Sequence, residues 1–177
     1  KQMRDYYLAN LDCLDENIGV LMDALDELKL TDNTMVVFFS DNGGAPTNGA
    51  TNLPLAGSKF TLWEGGIRVP FILSRPGDPH GGQISDQVIS SLDIVPTCLD
   101  AAGIRLPADL DGKPIVKSEE PRNLFWRFGE TNSHAVRSGD WKLLHNGGRK
   151  NRQPTEGIVN RENLLKGTRL FNLKNDQ

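Results

Sequence analysis

Tyr7, Leu11, Leu14, Ile18, Leu21, Leu25 and Leu28 recur at alternating intervals of four and three. That spacing places them on one face of a long helix over residues 2–29. Acidic residues fill much of the rest of its surface. A coiled coil has nearly the same period, but the sequence that follows points elsewhere. Thr31-Asp32-Asn33 is turn chemistry. Met35-Val36-Val37-Phe38-Phe39 is then an unbroken apolar run. A strand buried on both faces reads this way, and such strands belong to parallel sheets covered by helices. Helix, short turn and buried strand form half of a βαβ unit.

The strand is followed at once by Ser40-Asp41-Asn42-Gly43-Gly44 and then by a loop of polar and small residues over 45–58. A second short strand is expected at Val69-Pro70-Phe71-Ile72-Leu73, with its proline at a strand start or edge. Residues 76–82 are turn-rich. Asp93 can cap a second helix that tolerates Pro96 in its first turn, presents Val95, Leu99 and Ala102 to the core, and ends at Gly103. Beyond about residue 112 the texture changes to short strand candidates at 124–128, 134–137, 141–144 and 170–173. Ser138-Gly139-Asp140 forms a tight hairpin signal between the second and third. Residues 146–167 are basic and polar and read as a long loop. The expected fold is α/β. Residues 1–112 form part of a mixed, mostly parallel sheet flanked by helices, and residues 113–177 form a small antiparallel subdomain. No internal repeat is present.

The chain has 177 residues, 37% of them hydrophobic, and a net charge of −3. A packed core is possible. A nucleic-acid partner gripped through its phosphates is excluded, because such binding needs a basic face. No apolar run reaches the roughly 20 residues that span a bilayer, and no signal peptide opens the chain. Cys13 and Cys98 lie among apolar residues in the two helices. They read as buried thiols acting as small hydrophobes, and their spacing leaves a disulfide open.

Asp41 and Asn42 both offer oxygen, the donor that hard cations prefer. Gly43 and Gly44 let the backbone turn there. The position beyond the carboxyl end of a strand is where open α/β sheets bind ligands. The same four residues also make an ordinary strand-ending turn. Lys59 follows the small residues Gly57 and Ser58 and can approach an anion as a compact charge; it can equally be a solvated loop lysine. Glu64 and Arg68 read as an ion pair that fixes the lysine loop, in a stretch whose glycines argue against a helix. His80, His134 and His145 have no nucleophile–base partner arrangement. Trp126 and Trp141 read as core of the small sheet. The basic run Arg149-Lys150-Asn151-Arg152 is a solvated loop or a grip for a sulfated glycan.

Several motifs in order resemble the sulfatase family of the alkaline-phosphatase-like superfamily. They are the helix with Leu14-Asp15-Glu16-Asn17-Ile18-Gly19; the strand end Val36-Val37-Phe38-Phe39-Ser40-Asp41-Asn42-Gly43; the loop from Gly57 through Lys59 to Glu64-Gly65-Gly66-Ile67-Arg68-Val69-Pro70; Asp93-Ile94-Val95-Pro96-Thr97; and Val136-Arg137-Ser138-Gly139-Asp140-Trp141-Lys142-Leu143 with Leu170-Phe171-Asn172-Leu173. The resemblance implies that Asp41 and Asn42 bind a divalent cation, usually Ca²⁺, and that Lys59 contacts the sulfate group. It implies a sulfated small molecule or sulfated glycan as substrate, and a periplasmic, extracellular or lysosomal location.

The family's nucleophile is a formylglycine made in a Cys/Ser-x-Pro-x-Arg motif. Cys13 is followed by Leu-Asp-Glu and Cys98 by Leu-Asp-Ala, so neither fits. No residue of this chain takes the attacking role. The expectation is a C-terminal portion, inactive and aggregation-prone alone, whose partner is an N-terminal half of the same protein. A phosphate or phosphonate ester hydrolase of the same superfamily, or a non-catalytic anion-binding module, stands as the alternative.

Overall fold

A computed structural model of the chain describes residues 2–78, 81–115, 122–129, 132–147 and 166–176. His80, the Arg149–Arg152 run and most of the 146–167 loop lie outside the described residues.

Helix α1 spans Gln2–Glu27, as the apolar spacing requires. It ends in a Schellman arrangement. Lys29 takes a left-handed φ of 57°, its amide donates to Asp26 O, and the Leu30 amide donates to Leu25 O. These bonds satisfy carbonyls that a helix end leaves open. No residue of α1 is buried. The leucine face is therefore formed but uncovered, with Leu11, Leu14, Leu21 and Leu28 all exposed. Cys13 shares that exposure, which corrects its expected burial.

Strand β1, Val36–Phe39, pairs antiparallel with β2, Phe71–Ser74, in the register Val36↔Ser74 to Phe39↔Phe71. Helices and sheets are thus mixed as expected. No parallel pair occurs among the described residues, where the only sheets are this pair and a four-stranded antiparallel one. With one strand neighbour, Val36 to Phe38 are half-buried and Phe39 is exposed. The apolar run does not reach the burial on both faces that its composition implies.

Glu64–Ile67 forms a single helical turn, α2, despite its two glycines. Helix α3, Ile94–Ala101, begins beside Asp93 and stops at Gly103, whose φ is +66°. Its buried face is not the expected one. Val95 is 58% exposed and Ala102 and Cys98 are exposed, while Pro96 and Thr97 are buried. The reason is polar. Asp93 does not cap α3 with its side chain. Instead its carboxylate accepts from the amides of Ser90 and Lys113 and pairs with Arg122. Thr97 Oγ1 accepts from Ile115 N at 2.8 Å. These bonds turn the Asp93–Thr97 face inward and leave Val95 and Ala102 outside, with Leu99 half-buried.

The small sheet has the order β3-β4-β5-β6: Asn123–Phe128, Ser133–Ser138, Trp141–Asn146 and Gly167–Asn172. Each strand pairs antiparallel with the next. The β4–β5 connection is the expected two-residue loop, with Gly139 at φ +56°, where a hairpin turn of the primed type needs a left-handed residue. Strand alternation sends Lys142 and Leu144 inward, 1% and 2% exposed, and leaves Trp141 52% exposed. Trp141 is therefore not core. Trp126 does pack against it, beside Ile67, Phe128 and Phe171. The core cluster itself, Leu62, Trp63, Ala135 and Leu144, joins the lysine loop to the small sheet. Trp63 and Phe171 meet edge-on with centroids 5.3 Å apart, a contact that adds about 0.5–1.5 kcal/mol to the buried area.

Candidate functional site

The end of β1 and the lysine loop are sewn together by backbone hydrogen bonds. The Ser40 amide donates to Pro70 O at 3.2 Å, extending the β1–β2 ladder by one bond. The Gly43 amide donates to Gly66 O at 2.9 Å, and the Lys59 amide donates to Gly44 O at 3.2 Å. Asn52 completes the seam. Its Oδ1 accepts from Gly44 N at 2.7 Å, and its Nδ2 donates to Gly44 O at 2.9 Å and to Gly57 O at 3.4 Å. Asp41, Asn42 and Lys59 thus lie on neighbouring loops although 17 positions separate Asn42 from Lys59.

This seam explains Gly43. Its φ is not left-handed; the sharp-turn argument from sequence does not apply. A Cβ at this position would meet Gly65 O at 1.8 Å, so glycine is required for close approach of two backbones.

Lys59 and Phe60 are the central residues of a turn. The Thr61 amide donates to Ser58 O at 3.1 Å, and Thr61 Oγ1 donates to Ser58 O at 2.8 Å. Phe60 has φ +70°. That pattern is a type II turn, whose third residue is normally glycine or asparagine. A bulky residue there is a backbone outlier, and such strain is concentrated at functional sites. The Lys59 ammonium lies 5.3 Å from the Phe60 ring centroid.

Asp41 is exposed and Asn42 half-buried. Among the described residues the Asp41 carboxylate takes no hydrogen bond or ion pair. Asn42 Nδ2 donates to Gly43 O at 3.2 Å, which commits the amide nitrogen and leaves the carbonyl oxygen as the group able to ligate a cation. This donor set fits a share of a hard-cation shell, since Ca²⁺ takes six to eight oxygens. It does not complete one: no group of three or more His, Cys, Asp or Glu side chains with metal-site geometry occurs among the described residues.

Glu64 does not pair with Arg68. Its carboxylate Oε1 instead accepts from Lys142 Nζ at 2.6 Å, and Lys142 also donates to Leu62 O at 2.7 Å. Glu64 is buried and Arg68 exposed, so the carboxylate turns to the partner within the core. Burial holds the Lys142 ammonium below the ordinary lysine range, opposed by the attraction of Glu64. Lys142 was legible only in part: alternation puts it on the Leu144 face, and a charge on a buried face needs a partner. Asn52 carries no such signal. His134 and His145 face each other across β4 and β5 with rings stacked at 6.0 Å.

The fold is a mixed α/β unit followed by a small antiparallel sheet, with the strand-end loop that carries Asp41 hydrogen-bonded through its backbone to the lysine turn. The family model described as Sulfatase matches residues 1–104, and that described as N-sulphoglucosamine sulphohydrolase, C-terminal, matches residues 58–151. The chain belongs to the sulfatase family, within the alkaline-phosphatase-like superfamily. It is similar to a sulfatase of Formosa agariphila, 34% identical over 145 residues, covering 69% of this chain and 26% of that protein. Mouse (Mus musculus) arylsulfatase J is 37% identical over 145 residues, covering 81% of this chain and 22% of that protein. The crystal structure of Ps i-CgsB in complex with k-i-k-neocarrahexaose superposes with a TM-score of 0.78 at 30% identity, over 99% of this chain and 38% of that one. The chain spans about a quarter of the length of the curated relatives it matches.

Proposed function

We propose that the chain is the C-terminal portion of a sulfate-ester hydrolase, supplying part of a calcium site through Asp41 and Asn42 and a sulfate contact through Lys59. The observation that supports this most directly is the seam of hydrogen bonds from Gly43 to Gly66 and from Lys59 to Gly44, which sets the two loops side by side. Hydrolysis breaks the ester S–O bond and leaves negative charge on the departing oxygen. Fixed positive charge near that oxygen lowers the barrier more than the same charge in water. Lys59 supplies one such charge from a turn that holds its backbone. A cation bound there would supply a second and would polarise the sulfate oxygens. Asp41 and Asn42 would contribute oxygen donors to it, and the remaining donors and the attacking group would come from elsewhere in the complete enzyme.

The substrate proposed is a sulfated glycan, in line with the oligosaccharide bound to the similar solved structure. The two units proposed are residues 1–112 and 113–177. Residues 1–177 alone hold no nucleophile of the family type and are expected not to turn over. The test is hydrolysis of a sulfated oligosaccharide by the complete enzyme, with chelation and Ca²⁺ re-addition. Activity that returns with Ca²⁺ in the parent but not in Asp41→Ala supports the reading. Calcium-independent activity, unaltered by Asp41→Ala, overturns it.

A further inference from the structure

We infer that Lys142 is a positioning residue for the Lys59 turn, reaching from the small sheet to hold the segment that directly follows it. The inference rests on the reading of Lys59 as the sulfate contact.

Lys142 sits in β5, paired on one side with Arg137 of β4 and on the other with Phe171 of β6. A residue so flanked has a fixed Cα. Its side chain is 2% exposed, and its ammonium donates to Glu64 Oε1 and Leu62 O, which flank Trp63. A third contact is the Trp126 ring, 5.8 Å from its centroid. Both hydrogen-bond partners belong to the lysine loop. Leu62 follows the 58–61 turn directly, so fixing its carbonyl fixes one side of Lys59. Glu64 opens α2, and two residues later Gly66 O accepts from the Gly43 amide, next to Asn42. One buried ammonium therefore anchors two routes. One runs through Leu62 and the turn to Lys59; the other runs through α2 and Gly66 to the Asp41–Asn42 loop.

Stability does not account for this pair. Replacing a buried ion pair by apolar residues of like volume is often neutral or stabilising. Apolar packing is not directional, however, whereas two hydrogen bonds from one nitrogen fix the relative placement of two segments. Misplacing a reacting contact by about 1 Å can cost roughly 100-fold in rate, which is the scale on which such a device acts.

The test compares the complete enzyme with Lys142→Met/Glu64→Leu, which removes both charges and avoids the unpaired carboxylate of Lys142→Met alone. Expected for the double variant is a melting temperature close to that of the parent. Hydrogen exchange should be faster at 41–45 and 57–68 and unchanged in β3–β6. Its kcat/KM on an aryl sulfate should fall roughly 10- to 100-fold. In a Lys59→Ala background the same double change should cost less than it does in the parent, because the share that acts through Lys59 is already lost and residues acting through one another are not additive. Unchanged exchange at 41–45 with full activity overturns the inference and leaves the Lys59 reading standing. Additive losses in the Lys59→Ala background do the same. Full activity in Lys59→Ala overturns both.

Discussion

Lys142 Nζ and Glu64 Oε1 meet at 2.6 Å in the core, from positions 78 residues apart. Removing one partner leaves the other charge buried alone, which costs about 3–5 kcal/mol. Lys142→Met is expected to lower the unfolding free energy of the complete protein by about that amount, and Lys142→Met/Glu64→Leu by clearly less. Urea denaturation measures both. Equal losses in the single and double variants would contradict the ion-pair account.

The same pair sets a pH dependence. Burial lowers the Lys142 pKa from 10.5, while Glu64 opposes and Arg137 reinforces the shift. Between the lowered value and 10.5 the unfolded chain binds more protons than the folded one. Unfolding free energy therefore rises with pH through that window. The parent should gain stability relative to Lys142→Met/Glu64→Leu as pH climbs from neutral toward 10.5. A difference between their urea midpoints that shrinks in the opposite sense would refute the assigned direction.

Gly43→Ala tests the seam. The added Cβ falls 1.8 Å from Gly65 O, with no flexible side chain to yield. Overpacking of this kind costs about 1–3 kcal/mol. Here it must push the strand end away from α2. The expected outcome is a lower melting temperature together with weaker Ca²⁺ binding, read by calorimetry. Wild-type calcium affinity in Gly43→Ala would show that the seam does not position Asp41 and Asn42.

Much of this was legible in the sequence. The period of Tyr7 to Leu28 fixed α1 to within a few residues, and Ser138-Gly139-Asp140 located the β4–β5 turn. The strand end with Asp41 and the Lys59 loop were readable as motifs, and family membership followed from their order. What failed did so for identifiable reasons. Val95, Leu99 and Ala102 look like a core face, but hydrogen bonds to Asp93 and Thr97 decide which face of α3 turns inward. Glu64 and Arg68 have helical spacing, but burial selects Lys142, which local spacing cannot reveal. Asn52 acts through main-chain bonds to Gly44 and Gly57, and such bonds leave no periodic trace.

Residues 1–177 in isolation should associate. Helix α1 buries none of its side chains, and Val20, Leu21, Leu28, Phe125, Leu143 and Leu170 are exposed. Phe125, Val136, Leu143 and Leu170 also align across the four strands of the small sheet. Contiguous apolar faces of this kind drive association. Size-exclusion chromatography with light scattering should show concentration-dependent oligomers. A monodisperse, cooperatively unfolding monomer would contradict the expectation.

The central claim is that Lys59 grips a sulfate group. It is tested most directly by kcat/KM of the complete enzyme and of Lys59→Ala on a matched aryl sulfate and aryl phosphate. The account predicts a parent that prefers the sulfate and a variant that loses roughly 100-fold or more on it, the scale for removing one fixed charge-stabilising group. A parent that prefers the phosphate, or a Lys59→Ala variant with undiminished sulfate hydrolysis, would contradict it.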